Sequence, residues 1–160
     1  IAALAVLVVQ IWLGGWTSSN YAATACPDLP KCQNAWLPTT DFRNAFVLWR
    51  GLGVNYEGGV LDQPARVAIQ YTHRLGAMLT TLILLLTARL GLRAVAGGRV
   101  RRATGALLVT LALQLVIAIA MIVSGFSLWL ATAHNAGAAL LLLAAVALVH
   151  AAATRETYER

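Results

Sequence analysis

The sequence has little charge and very little acid. Of its 160 residues 11% are charged, and only six are aspartate or glutamate. Soluble domains carry about 25% charged residues, so an ordinary water-soluble globule is excluded. Disorder is excluded as well, because 59% of the residues are hydrophobic and a disordered chain must stay solvated. Cysteine occurs only at Cys26 and Cys32, with no Cys-x2-Cys pattern and no second pair to complete a zinc site. None of the chain's apolar runs reads as a secretory signal peptide either. Ile1–Trp16 has no basic leader, and Gly14-Gly15-Trp16 does not resemble a small-residue cleavage site. In so apolar a chain the net charge of +6 reports membrane topology rather than a nucleic-acid partner.

What the sequence does have is long apolar runs. A bilayer-crossing helix needs roughly 20 mostly apolar residues. Residues 1–16 read as a span cut short, and residues 67–88, 103–126 and 128–153 as three more. The chain starts Ile1-Ala2-Ala3 inside the first run, so a piece of a longer protein is expected. The fold class expected is an all-α membrane protein, a four-helix transmembrane bundle with a long outer loop at 17–66. The connection at 89–102 contains Arg89, Arg93, Arg99, Arg101 and Arg102 and no acid. The positive-inside rule puts it, and both chain ends, in the cytoplasm, with the long loop outside. Within that loop Thr40-Asp41 can cap a short helix with Phe42, Ala45, Phe46 and Trp49 on one face, ended by Gly51 and Gly53. Glu57-Gly58-Gly59 is a turn signal, and Pro64 is expected to precede the next helix.

The cysteine pair lies in this loop, on a face that should be oxidising. A structural disulfide, a redox-active pair and free thiols are all open, and the pair alone decides no function.

Ionisable residues inside a span are costly and mark function. His73 and His134 each lie about six residues into a span that runs from outside to inside, roughly 10 Å below the outer interface at 1.5 Å per residue. At matched depth on parallel helices they can meet across a bundle axis, where such folds hold cofactors. Both begin a His-x-x-Gly-Ala motif. Gly76 and Gly137 fall one turn deeper on the histidine face and would let the backbone approach something flat. The repetition suggests a duplicated helix pair, with Gln10 and Gln114 loosely matched along spans one and three. Two neutral imidazoles suit the axial positions of a b-type heme in an apolar wall, and Arg74 and Arg66 could pair with its propionates. The plainer reading of a membrane histidine is an interhelical hydrogen bond. His150, sixteen residues beyond His134 and about 24 Å deeper, marks the cytoplasmic end of its span and is not expected to be a ligand.

Several of these segments resemble the heme A synthases of bacteria and mitochondria. They are Gln10-Ile11-Trp12-Leu13-Gly14-Gly15-Trp16-Thr17-Ser18-Ser19-Asn20-Tyr21-Ala22-Ala23 with Ala25-Cys26-Pro27-Asp28, then Asn55-Tyr56-Glu57-Gly58-Gly59-Val60-Leu61-Asp62, Gln70-Tyr71-Thr72-His73-Arg74 and Ala133-His134-Asn135-Ala136-Gly137. The resemblance covers essentially the whole chain. It implies an eight-helix architecture of two similar four-helix halves, each with a histidine pair facing a heme, and oxidation of the heme O C8 methyl to the formyl of heme A. The family's catalytic half carries Glu-x-x-His-Arg, whereas this chain has Gln70, and an amide cannot do a carboxylate's work. The chain is therefore expected to be the C-terminal half, with His73 and His134 as iron ligands of heme b, no catalytic residue assigned, and the N-terminal half missing. The family's cysteine pair belongs to the first outer loop of the catalytic half, so its role does not transfer to Cys26 and Cys32. The resemblance also implies heme O as substrate of the full-length enzyme, heme O synthase and cytochrome oxidase assembly factors as partners, and a bacterial inner membrane with the cysteine loop periplasmic. Two other classes compete. A thiol–quinone oxidoreductase should need a second cysteine pair, and a cofactor-free assembly protein would use the histidines only to join helices.

Overall fold

The computed structural model describes residues 1–51, 59–93 and 98–158. It is helical. Four long helices, α1 (Ala2–Ser19), α3 (Gln63–Arg93), α4 (Gly98–Val123) and α5 (Leu128–Tyr158), are joined by a loop that carries one short helix, α2 (Phe42–Ala45). All four long helices have the length and apolarity to cross a membrane, so the chain is an integral membrane protein. Their threonine hydroxyls turn back on the carbonyl one turn earlier, as Thr17 does on Leu13 O, Thr72 on Ala68 O, Thr87 on Ile83 O and Thr104 on Val100 O. Polar groups are thereby satisfied inside their own helix, which a hydrocarbon surrounding demands.

The helices form a ring. α1 packs on α3, α3 on α4, α4 on α5, and α5 closes back on α1. The pair α3 and α5 is not among these neighbours, so the two histidine-bearing helices stand diagonally across the bundle. The dry core fills the half that ends in the arginines, with Leu7 from α1, Leu84 and Ala88 from α3, Leu107 and Leu111 from α4, and Leu141 and Leu148 from α5. At that end a Cβ on Gly91 would lie 2.7 Å from Thr104 Oγ1, so glycine is what lets α3 and α4 cross closely there. Arg89, Arg93, Arg99, Arg101 and Arg102 are all exposed beyond it.

The other half, here the loop end, is packed differently. The loop lays two small clusters on the first turns of α3. One joins Ala22, Ala45 and Leu61 to Ala65, Ala68 and Ile69, and the other joins Ala25 and the cysteines to Val67. By contrast, no residue of α4 from Ala112 to Val123, and none of α5 from Leu128 to Ala136, is buried.

Three local expectations change. The loop helix is one turn long rather than a Phe42–Trp49 amphipath. Asp41 caps it by accepting from Arg43 N and Asn44 N, but the Ala45 carbonyl is taken by Trp16 Nε1 at 3.0 Å and the Asn44 carbonyl by Arg50 Nη2. The chain leaves helical geometry at Phe46, with φ −118° and ψ 32°. Trp49 is consequently exposed, and Gly53 lies outside the described residues, as do Glu57 and Gly58. Pro64 falls inside α3 rather than ahead of it, where the Asp62 carboxylate accepts from Ala65 N at 3.2 Å and a first-turn proline has no N–H to waste. α4 stops at Val123 because Gly125 and Phe126 take positive φ of 74° and 64°, which reverses the chain into α5 before Phe126 can extend the third span.

Candidate functional site

Each histidine is held by a glutamine from the neighbouring helix. On α3, His73 Nδ1 accepts a hydrogen bond from Gln10 Nε2 at 3.0 Å, and the same nitrogen donates to the His73 carbonyl at 3.0 Å. On α5, Gln114 Nε2 stands 3.3 Å from His134 Nε2. Gln10 lies nine residues before the end of α1 and Gln114 nine before the end of α4, so the register repeats. The glycines complete each unit. A Cβ added to Gly76 would collide with Gln10 Oε1, and one added to Gly137 would collide with Gln114 Oε1. The space expected to admit a flat ligand is therefore occupied, at both glycines, by a glutamine side chain. Both amide oxygens are buried without a hydrogen-bond partner, as is His134 Nδ1.

The imidazoles belong to diagonal helices. His73 also rests on α1, where a Cβ at Gly14 would come within 3.2 Å of its Cε1. Sequence reading missed this seat. The available signal was the spacing Gln10 to Gly14, which places both on one face of α1. The corresponding position on α4 is Ala118.

Arg74 does something other than wait for a propionate. Its Nη1 donates to Asp28 O at 2.7 Å and to Lys31 O at 2.9 Å, and its Nη2 donates to Cys26 O. The guanidinium thus clamps the loop closed by Cys26 and Cys32, which are disulfide-bonded and buried. Arg74 Nε is buried and without a partner. Arg66 is likewise engaged, its Nε donating to Leu61 O at 2.8 Å. Within the clamped loop the Asp28 carboxylate accepts from Gln33 N at 2.7 Å and Asn34 N at 2.9 Å. The Asn34 N–H foremost, then the Gln33 N–H and the nearby Arg74 charge, hold this carboxyl below its ordinary value of 3.8. Asp41 is lowered in the same way, chiefly by the Asn44 side-chain amide.

Gln70, one turn before His73, is 4% exposed, and its Oε1 has no partner. His150 is exposed on α5, far toward the arginine end, and joins no site; its carbonyl accepts from Thr154 Oγ1.

The chemistry of this donor set is restrictive. Among the described residues no group of three or more His, Cys, Asp or Glu could hold a bare metal ion. Two imidazoles from opposite helices suit an iron that brings its other ligands in a macrocycle. Residues 112–123 of α4 and 128–136 of α5 include no buried residue, and toward the same end His134, Arg74 and Gln70 carry buried atoms without a hydrogen-bond partner. The residues present fit such a group.

Fold and site together define a class: an integral membrane four-helix bundle with paired intramembrane histidines near one end. The family model described as "Cytochrome oxidase assembly protein" matches residues 1–146, and the chain belongs to that family. It is 42% identical over 146 residues to the heme A synthase of Shewanella oneidensis, covering 91% of this chain and 43% of that protein. The heme A synthase of Rhizorhabdus wittichii is 30% identical over 144 residues, covering 90% of this chain and 37% of that protein. The chain thus spans about two-fifths of the length of these curated relatives. No solved structure matches it.

Proposed function

We propose that this chain is the heme-b-holding half of a heme A synthase, with His73 and His134 as axial ligands of the iron. The observation that carries the reading is the placement of two histidines on diagonal helices, each fixed by a glutamine and a glycine in the same register. An iron macrocycle bound there would supply one-electron chemistry. The chain's own residues would orient the two imidazoles, exclude water through the apolar bundle, and leave Arg74 Nε as a donor toward a propionate. The substrate chemistry, conversion of the heme O methyl to a formyl, belongs in this reading to the other half of the full-length enzyme, because Gln70 brings an amide where a carboxylate is needed. The matching Gln–His–Gly units support descent of the two helix pairs from one. The exposed arginines support a cytoplasmic arginine end in a bacterial inner membrane, with the disulfide loop periplasmic.

One observation favours a plainer alternative. Glutamine–histidine bonds between helices are also what a cofactor-free assembly protein would use to hold its bundle, each worth about 1 kcal/mol in a membrane. The thiol–quinone reading loses ground, since both sulfurs are buried within one disulfide. Titrating the intact protein with heme and recording its absorbance separates the first two. Six-coordinate low-spin bands that disappear in both His73→Ala and His134→Ala support the proposal. A protein that stays colourless, or bands that survive both changes, would overturn it.

A further inference from the structure

Neither glutamine is explained by ligation alone. Gln10 and Gln114 are half-buried amides inside membrane-spanning helices, each directing its nitrogen at an imidazole and its oxygen at a glycine, with that oxygen buried and unpartnered. A buried acceptor without a partner is destabilising. Both units incur that cost in the same place.

We infer that Gln10 and Gln114 are positioning residues that select the free nitrogen of each histidine and that present their oxygens to the imidazoles once those nitrogens are ligated. The inference rests on the reading of His73 and His134 as iron ligands. Around His73, Gln10 Nε2 occupies Nδ1 and leaves Nε2 free. Around His134, Gln114 occupies Nε2 and leaves Nδ1 free, buried and unpartnered. A neutral imidazole has one proton. When its free nitrogen gives a lone pair to a metal, that proton must sit on the nitrogen facing the glutamine. An N–H then confronts the amide N–H, donor against donor. A half-turn of the amide replaces the nitrogen with the oxygen that now lacks a partner, and the ring N–H gains the acceptor that metal-bound histidines ordinarily have. Gly76 and Gly137 supply the volume in which the amide turns, since a Cβ at either would strike the oxygen. The two units differ in cost. Gln10 gives up a second bond, to the His73 carbonyl, when it turns, whereas Gln114 gives up only one long bond of 3.3 Å.

The test is redox potentiometry and heme retention of the intact, heme-loaded protein in detergent, with Gln10→Leu, Gln10→Glu and the same pair at Gln114. Loss of the acceptor makes the imidazole a poorer electron donor. Gln10→Leu is therefore expected to raise the midpoint potential and to weaken heme retention by about ten- to a hundredfold. A carboxylate is a stronger acceptor, so Gln10→Glu should lower the potential. Opposite signs support the inference; equal potentials, or shifts of the same sign, overturn it. If the leucine variant does not fold, the sign obtained with the glutamate variant decides alone. Parallel His73→Ala and His134→Ala samples separate the two levels. Bands that survive those changes refute the ligand reading. Bands that vanish there, while the glutamine variants keep the parent's potential and retention, refute only the positioning role.

Discussion

The two helix pairs of this bundle are built to one plan and finished differently. α1 with α3 and α4 with α5 each bring a glutamine, a histidine and a glycine together in the same register. Around the first pair everything is fastened. His73 rests on Gly14, Gln10 makes two hydrogen bonds, and the disulfide loop is clamped above by Arg74. Around the second pair the glutamine makes one longer bond, Ala118 stands where Gly14 would, and the connection to α5 is the short exposed turn at Ser124–Ser127. The repeated part is the seat of each histidine, a glutamine and a glycine. The unrepeated part is local cover, and it makes His73 the fixed member and His134 the adaptable one.

The largest effect that should break this comparison is at Arg74. Arg74→Ala removes donors from three loop carbonyls, and charge-assisted bonds of this kind contribute about 1.5–3 kcal/mol each. Local stability of residues 26–34 should fall by at least about 3 kcal/mol, read as faster amide hydrogen exchange there, with Ser124–Ser127 unchanged. Equal acceleration at both places would mean that the cover is not local to the first pair. Opening the disulfide with the double change Cys26→Ser and Cys32→Ser comes next. A closed loop this short constrains the unfolded chain by about 2 kcal/mol in the chain-entropy account. The same exchange measurement should register it, with less additional loss when Arg74→Ala is already present, because the two act on one loop.

A smaller effect sharpens the contrast between the seats. Gly14→Ala puts a methyl about 3.2 Å from His73 Cε1, so His73 must shift, at a cost of about 1 kcal/mol. Ala118→Gly is expected to leave the position of His134 unchanged. Histidine ring NMR shifts would show movement in the first variant and none in the second.

The smallest effect is one of pH. The carboxyl of Asp28 lies below its ordinary 3.8 in the folded protein, so it contributes stability above that value. The contribution is lost as pH falls through the lower folded value. Loop exchange should therefore quicken on acidification below about pH 4, and Asp28→Asn should remove most of that pH dependence. An acid response unchanged by the substitution would place the sensitive group elsewhere.

Much of this was legible in the residues. Run length and apolarity give the four helices, and the shared His-x-x-Gly spacing picks out the two histidines and their glycines. Isolated amides in apolar runs mark Gln10 and Gln114, because a membrane rarely tolerates them without a partner. The spacing pairs them with each other but does not reveal that each caps an imidazole. Other features depend on groups that sequence does not distinguish. Arg74 is bound by backbone carbonyls of Cys26, Asp28 and Lys31, and every residue has a carbonyl. The loop helix stops at Ala45, whose carbonyl accepts from Trp16, 29 residues earlier, a tertiary contact that no local pattern reveals. Gly76 and Gly137 are a further case. A missing side chain tells of close approach, and the approaching group here is a glutamine.

The central claim is that His73 and His134 together ligate one iron. Electron paramagnetic resonance and near-infrared magnetic circular dichroism of the oxidised, heme-loaded protein identify an axial ligand pair directly. The account predicts a bis-imidazole signature that is lost in His73→Ala and equally in His134→Ala. A signature that includes a sulfur ligand, or one that persists when either histidine is removed, would contradict it.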